Sequence, residues 1–379
     1  MVTRGNVLVD KNIHALMHNN RIIAQPEDVR ASSLDLRIGD ALWQINGVPS
    51  LATGFSTKSF IKEYVVNDFG ANRFLGTPLT MTPGNVYLTE LKGTFDLTST
   101  VNGVVSPKSS AGRVDLHCMV ITEGGREFNI VPPHYQGKLY MIMIPQSFSI
   151  RNFWDQDFVQ LRLFDGPRRF LSGHELEMLH DKYGLVEGGP AVIEQDGIIM
   201  HLDLQSFDPR YLVAVRSGKP ISVDQKGGLD PEYYFRFKKP DSQGNLFLEP
   251  ADFLLAATGE RARFPPCICG EMVPYREAQG EFKSHYAGFF DPGFGYGREG
   301  EAESASAVCE IRNISSAPMM FSHGQRVAMM RYEYLFDTPD HEYGKVTEVL
   351  KASNYQSQSG VKLAKYFQKW PTSSVPVQA

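Results

Sequence analysis

The chain has 379 residues, 42% of them hydrophobic and 21% charged, and a formal net charge of −5. That length allows two ordinary domains, each able to bury a core. The charge argues against a broad basic surface for duplex DNA, so any recognition of phosphate has to be local. No run of about 18 apolar residues marks a spanning helix. The opening MVTRGNVLVDKNIHALM lacks the apolar core and small-residue cleavage site of a secretory signal. Four cysteines, Cys118, Cys267, Cys269 and Cys309, do not make a disulfide framework in so long a chain. A reduced, cytoplasmic protein is expected, with neither nucleic acid nor membrane as partner.

In chain order, DKNIHALMHNN (10–20) predicts a helix near the N-terminus. Short strand-like runs follow: NVYLTEL, NGVVSP, KLYMIMI and FVQLRLF. LSGHELEMLHDKYG (171–184) predicts a second helix, opened by a capping box of Ser172 and Glu175 and closed by Gly184. With the following VEGGP it reads as a connector between domains. Beyond it come YLVAV, YYFRF, DFLLAA, AVCEIRN and RVAMMRYEYLF. Many short strands punctuated by Gly, Pro and Asn, with few helices, predict an all-β sandwich or barrel-like architecture.

The two sides of the connector read as diverged copies. PGNVYL (83–88) matches PADFLL (250–255) at an offset of 167, and the same offset carries VSPKSSAG (105–112) onto MVPYREAQ (272–279). DQDFVQLRLF (155–164) lies against GQRVAMMRYE (324–333) at an offset of 169. A duplicated β-domain is expected. Its boundaries are an N-terminal domain at 1–168, a helical connector at 169–190, a C-terminal domain at 191–345 and a tail at 346–379.

Three stretches could carry chemistry. SPKSSAGR (106–113) follows a strand and offers hydroxyl, backbone N–H and guanidinium donors to phosphate, although an ordinary polar turn has the same composition. HYAGFFDPGFGYG, beginning at His285, contains the turn signal Asp291-Pro-Gly. Its aromatics could line a base pocket or belong to a hairpin core. ASAVCEIRN (305–313) alternates, with Val308, Glu310 and Arg312 on one face and Ala307, Cys309 and Ile311 on the other. Alternation alone favours a solvated Glu310. The repeat changes this, because Glu310 aligns with Ile142. One copy keeps the phosphate-like turn and lacks the carboxylate, whereas the other keeps the carboxylate and the Asp-Pro-Gly hairpin. That division is what one site shared between two copies would leave, so Glu310 is expected to face a pocket completed by the other half.

SSLDLRIGD (32–40), SPKSSAGR, DPGF with a glutamate further on, and the tail KLAKYFQKWPTSS (362–374) together resemble the dCTP deaminase branch of the deaminase/dUTPase superfamily, in its order and over almost the whole chain. The chain looks like a duplicated form, about twice the family's usual length. The resemblance implies a mainly β fold of two tandem dUTPase-like β-barrel or jelly-roll (β-clip) domains with a few short helices. Carried over by position, Lys108, Ser109, Ser110 and Arg113 contact phosphates, with Arg113 also near the reacting centre. Asp291, Phe294 and His285 face sugar and base, and Glu310 is the catalytic glutamate. Lys365, Tyr366 and Lys369 lie in a tail resembling a mobile lid over the triphosphate. Lys108 stands where an arginine is common, Gly112 where alanine is usual and Phe294 where tryptophan is usual. Residues 295–305 are an insertion.

The implied reaction is hydrolytic deamination of dCTP to dUTP and ammonia, in which a partly buried glutamate with a raised pKa shuttles the proton. Zinc is not implied. Cys267 and Cys269 in PPCICG are separated by one residue instead of two, and HELEMLH misses the H-E-x-x-H spacing. Mg2+ bound through the triphosphate is expected, with no protein-bound metal. dTTP is a candidate regulator and a homo-oligomer is expected. The alternatives are dUTP diphosphatase or bifunctional activity through Asp291, and a non-catalytic nucleotide-binding β-protein.

Overall fold

Alternating apolar and polar residues become antiparallel ladders in both halves of the computed structural model. It describes residues 5–52, 54–70, 79–206, 211–276, 282–283, 288–297, 304–344, 355–356 and 358–370. The chain divides into two mainly β units. The first comprises 1–169, 218–225 and 335–341; the second comprises 170–217, 226–334 and 342–379.

The first unit is built on β1 (Leu34–Ile45), β2 (Val86–Leu91), β3 (Val101–Pro107), β4 (Leu116–Thr122), β5 (Leu139–Pro145) and β6 (Asp157–Asp165). Their order is β4-β5-β2-β1-β6-β3, and every ladder is antiparallel. Long β1 joins two ladders of this sheet and also pairs with Val65–Asp68. Its first residues pair with β6 and its last with β2, with irregularities in register that let one strand turn between ladders. Helices α1 (Asp10–His18), α2 (Thr57–Tyr64) and α3 (Ser109–Gly112) belong to this unit.

The second unit contains α4 (Gly173–Tyr183), then β7 (Gly197–His201), β8 (Tyr211–Ala214), β9 (Phe253–Ala262), β10 (Ile268–Pro274), β11 (Ala305–Asn313) and β12 (Arg326–Tyr334). Here β8-β9-β11 form one ladder and β7-β12-β10 another. The repeat read from the sequence reappears as shared pairing. β3 pairs with β6 as β10 pairs with β12, and β2 pairs with β5 as β9 pairs with β11. Gly103 and Gly270 occupy matching places, and a Cβ there would lie 2.6 Å from a Leu161 methyl or 2.3 Å from the Phe264 ring. What is one strand, β1, in the first unit is two shorter strands, β7 and β8, in the second.

Helix α4 is not a free connector. Leu176 and Leu179 are buried with Ile198, Leu254, Met330 and Tyr332 in the second unit's core. Nor does Ser172 form its expected capping box: it takes the N-cap position without a side-chain cap bond. Gly173, at φ +51°, bends the chain there and donates its amide to the Gln195 carbonyl at 3.1 Å. Gly184 closes the helix in the left-handed conformation, as expected.

The start of β11 is tied down by charge. Glu187 sits on a short strand paired with β9. It accepts a hydrogen bond from the Ser304 hydroxyl at 2.7 Å and pairs with Arg261 and Arg263. The Ser304 bond, followed by the two arginines, outweighs partial burial and holds its carboxyl below the usual range. A folded-state pKa below the unfolded one contributes stability above the unfolded value, and that contribution is lost as pH falls through the folded value. Glu187→Gln should therefore lower the urea midpoint at pH 7, with the gap to wild type closing below about pH 4. A gap unchanged by acid would mean that the charge of Glu187 contributes nothing.

Candidate active site

In the first unit the turn SPKSSAGR leaves the end of β3. The Lys108 amide donates to the Phe158 carbonyl at 2.8 Å, and Lys108 becomes the N-cap of the one-turn helix α3. Ala111 and Gly112 donate back to the Lys108 carbonyl at 2.8 and 3.1 Å, and Arg113 donates to Ser109 at 3.0 Å. Ser109, Ser110 and Arg113 are thus carried on a single turn, with Ser110 and Arg113 buried and Ser109 half-buried. Asp115 ends the turn at φ +54° and accepts a hydrogen bond from the Ser147 hydroxyl.

Lys108 does not extend from this turn as the phosphate reading expects. Its ammonium lies 2.6 Å from Asp35 Oδ2 and also pairs with Asp157. Asp35 on β1 is buried and is held a second time by Arg30, at 2.7 Å from Nε and 2.6 Å from Nη2. Burial opposes the Lys108 charge, yet the two carboxylates outweigh it and raise the lysine's pKa. Burial also raises the Asp35 carboxyl, with Lys108 pulling against it. This network fastens the start of α3 to β1 and β6. The sequence reading passed over Asp35 and Asp157. The available signal was an acid within the apolar run LDLRI, which a buried strand tolerates only with a partner.

In the second unit, Glu310 occupies the middle of β11, opposite Leu255 of β9, and is 1% exposed. Ala305, Ala307, Cys309 and Ile311 point into the core, as alternation predicts. The other face, with Val308, Glu310 and half-buried Arg312, is covered too, so the solvated reading of Glu310 fails. Burial, and then the charges of Glu310 and Glu260, push the Cys309 thiol up, keeping it a neutral core residue.

The Asp291-Pro-Gly turn adjoins the same strand. Gly295, at φ +61°, packs so closely that a Cβ would lie 2.2 Å from the Ala262 carbonyl oxygen and 3.0 Å from the Ala305 amide. Asp291 is half-buried at the head of this turn, its carbonyl accepting from the Phe294 amide at 3.1 Å. Phe294 departs from expectation. Its ring is buried among Phe290, Phe264 and Tyr343, with centroids 5.0, 6.3 and 5.5 Å away, so it supports the turn from the core. His285 lies outside the described residues, as do 298–303 of the insertion.

The described part of the tail is docked on the second unit. Gly227 donates to the Lys365 carbonyl at 3.0 Å, and Gly228 and Leu229 donate to that of Tyr366 at 3.0 and 3.1 Å. Tyr366 is buried, Lys365 lies over its ring at 5.7 Å, and Lys369 is exposed. Phe367 meets Tyr234 and Phe235 edge-on, each at 5.4 Å. Upstream, the tail is bonded to the glutamate strand itself. Ser306 donates its amide to Gln358 O at 2.9 Å, the Gln358 side chain donates to Ser306 O, and Gly360 donates to Ser306 Oγ at 2.9 Å.

Among the described residues no group of three or more His, Cys, Asp and Glu could hold a metal ion. Cys269 is in the core, and burial raises the Cys267 thiol away from the thiolate a metal would need. No helix among the described residues is long and apolar enough to cross a membrane.

Comparison with known proteins accounts for both units. The family model of the 2'-deoxycytidine 5'-triphosphate deaminase N-terminal domain matches residues 4–167, and that of its C-terminal domain matches 172–367. The chain belongs to the dCTP deaminase family. A crystal structure of 2'-deoxycytidine 5'-triphosphate deaminase from Agrobacterium tumefaciens is similar at a TM-score of 0.80 and 27% identity, over 89% of this chain and 97% of that one. The dCTP deaminase of Halorubrum lacusprofundi is 26% identical over 183 residues, 46% of this chain and 83% of that protein. The dUMP-forming dCTP deaminase of Thermobifida fusca is 25% identical over 173 residues, 45% of this chain and 78% of that protein. The mainly β, duplicated dUTPase-like architecture is that of this family.

The network under α3 has a measurable weight. Removing one partner of a buried ion pair typically costs about 3–5 kcal/mol, because the other charge stays buried. Lys108→Met should therefore destabilise the protein by about 3 kcal/mol in urea unfolding. A loss below about 0.5 kcal/mol would place Lys108 among surface pairs of little weight.

Proposed function

We propose that the chain hydrolyses the C4 amine of dCTP, releasing dUTP and ammonia, with Glu310 as the proton shuttle. The observation that carries this reading is the burial of Glu310 in the middle of β11, opposite Leu255. A buried carboxylate beside a bound base is a group that can take a proton from water and return it to the base. Water adds to C4 as Glu310 takes its proton. The glutamate then protonates N3, and the leaving amine departs as ammonia after a further proton transfer. One water is consumed for each ammonia formed. Ser109, Ser110 and Arg113 are assigned to the substrate phosphates, Asp291 to the sugar and base side, and Lys365, Tyr366 and Lys369 to the triphosphate end. Magnesium arrives with the triphosphate as part of the substrate, and the spacing of Cys267 and Cys269 gives no zinc signature. A homo-oligomeric, cytoplasmic enzyme of dUTP supply, responsive to dTTP, completes the reading.

A second reading is favoured by relatives named dUMP-forming. In it dUTP is hydrolysed further, water attacking the α-phosphate with Asp291 as its activating base, and pyrophosphate leaves. Incubation with dCTP and Mg2+, followed through ammonia and pyrophosphate, separates the two. Ammonia alone supports deamination, ammonia with pyrophosphate supports the combined activity, and neither product leaves a binding protein.

Glu310→Gln should abolish ammonia release while nucleotide binding, measured by calorimetry, stays near wild type. Turnover that persists in this variant would take Glu310 out of the mechanism. Ser110→Ala combined with Arg113→Ala should instead weaken dCTP binding, by on the order of a few kcal/mol for charge-assisted contacts. Unchanged affinity would remove the turn from phosphate recognition.

A further inference from the structure

The duplication gives the first unit a counterpart of the Glu310 face, and that face has been rebuilt. Ile142 stands where Glu310 stands in the second copy, and Tyr140 stands where Val308 does. Over Ile142 lies a separate apolar cluster of Ile45, Leu51, Phe55, Leu88 and Ile121, joined by Phe60 and Ile61 of α2. The ring centroids of Phe55 and Phe60 are 5.4 Å apart. Helix α2 and the segment before it thus cap the position where the second copy carries its carboxylate.

The cap stops short of closing the surface. At its edge is a cleft of about 440 Å³, within the range of small-ligand sites, whose walls include Trp43, Thr57, Lys58, Glu90, Glu123 and Tyr140. Its polar groups are arranged by bonds of their own. Glu123 accepts from the Thr57 amide at 3.1 Å and from the Thr57 hydroxyl at 2.5 Å, and the Thr57 side chain also bonds that of Tyr140. Glu90 is paired with Lys138. The cleft therefore combines an aromatic wall, carboxylates able to accept from an amino group, and the exposed Lys58. A heteroaromatic base with an exocyclic amine, attached to phosphate, answers all three. The ring packs on indole, the amine donates to carboxylate as a cytosine amine does to Glu, and the phosphate meets the ammonium.

We propose that this cleft is a second, non-catalytic site for a nucleotide whose base carries an exocyclic amino group, in the first unit at the edge of the capped counterpart of the Glu310 face. The choice of a nucleotide rests on the function proposed above; the cleft and its donor set do not.

Equilibrium dialysis of the full chain carrying Glu310→Gln, with labelled dCTP, dUTP or ATP and Mg2+, tests this. The expected result is two dCTP per chain, one ATP per chain, and no dUTP at the second site. Adding Trp43→Phe with Lys58→Ala should weaken the second dCTP and the ATP by roughly tenfold or more. The first dCTP should be unaffected, and with Glu310 restored the double variant should release ammonia at the wild-type rate in saturating dCTP. A single dCTP with no ATP overturns the proposal, as does a second equivalent indifferent to Trp43 and Lys58. Ammonia release by the wild type is scored separately. Turnover with one bound dCTP sinks the second site alone. Two bound dCTP without turnover sink the deaminase reading alone.

Discussion

A carboxylate in the middle of a β-ladder is the constraint around which the second unit is organised. Glu310 cannot reach bulk water from its place opposite Leu255, so its environment is fixed by neighbouring strands and not by solvent. The core on the opposite face of β11 is apolar and takes in Ala305, Ala307, Cys309 and Ile311. At the head of the strand, the Gly295 turn and the Glu187–Ser304 bond fix where β11 begins. Under the function proposed above, in which Glu310 exchanges protons with a bound base, this positional certainty matters because a small displacement is costly in rate.

The first unit solves a different problem with the same scaffold. Its turn carries two hydroxyls and a guanidinium on a rigid base. Lys108 supplies that base by turning inward to Asp35 and Asp157, leaving Ser109, Ser110 and Arg113 on one short helix. The duplicated copies differ in where they bury charge: the first fastens a turn with Lys108, Asp35 and Asp157, and the second buries Glu310 in the middle of β11.

Much of this was legible in the sequence, for physical reasons. The boundaries of β3 and β10, and of β6 and β12, coincide because the alternation that creates a ladder has survived sequence divergence. The offset of β3 and β10 and that of β6 and β12 are the ones read from residues alone. The core face of β11 followed from alternation. Long-range partners were not legible. Nothing local to Lys108 says that its ammonium meets an acid 73 positions earlier and another 49 positions later. Phe294 could serve a pocket or a core, and composition alone left both open; ring packing places it in the core. The capping box at Ser172 failed because Gly173 took a conformation that no helix-forming pattern announces.

The bonds from Gln358 and Gly360 to Ser306 bear on strand pairing as well as on the placing of β11. At the far end of β11, Arg312 and Asn313 pair with Lys283 and Phe282, and near its start the tail bonds the Ser306 amide and carbonyl. A bare row of strand amides and carbonyls is a template for another chain. By occupying the Ser306 amide and carbonyl, the tail acts as an edge guard at the start of the strand that holds Glu310.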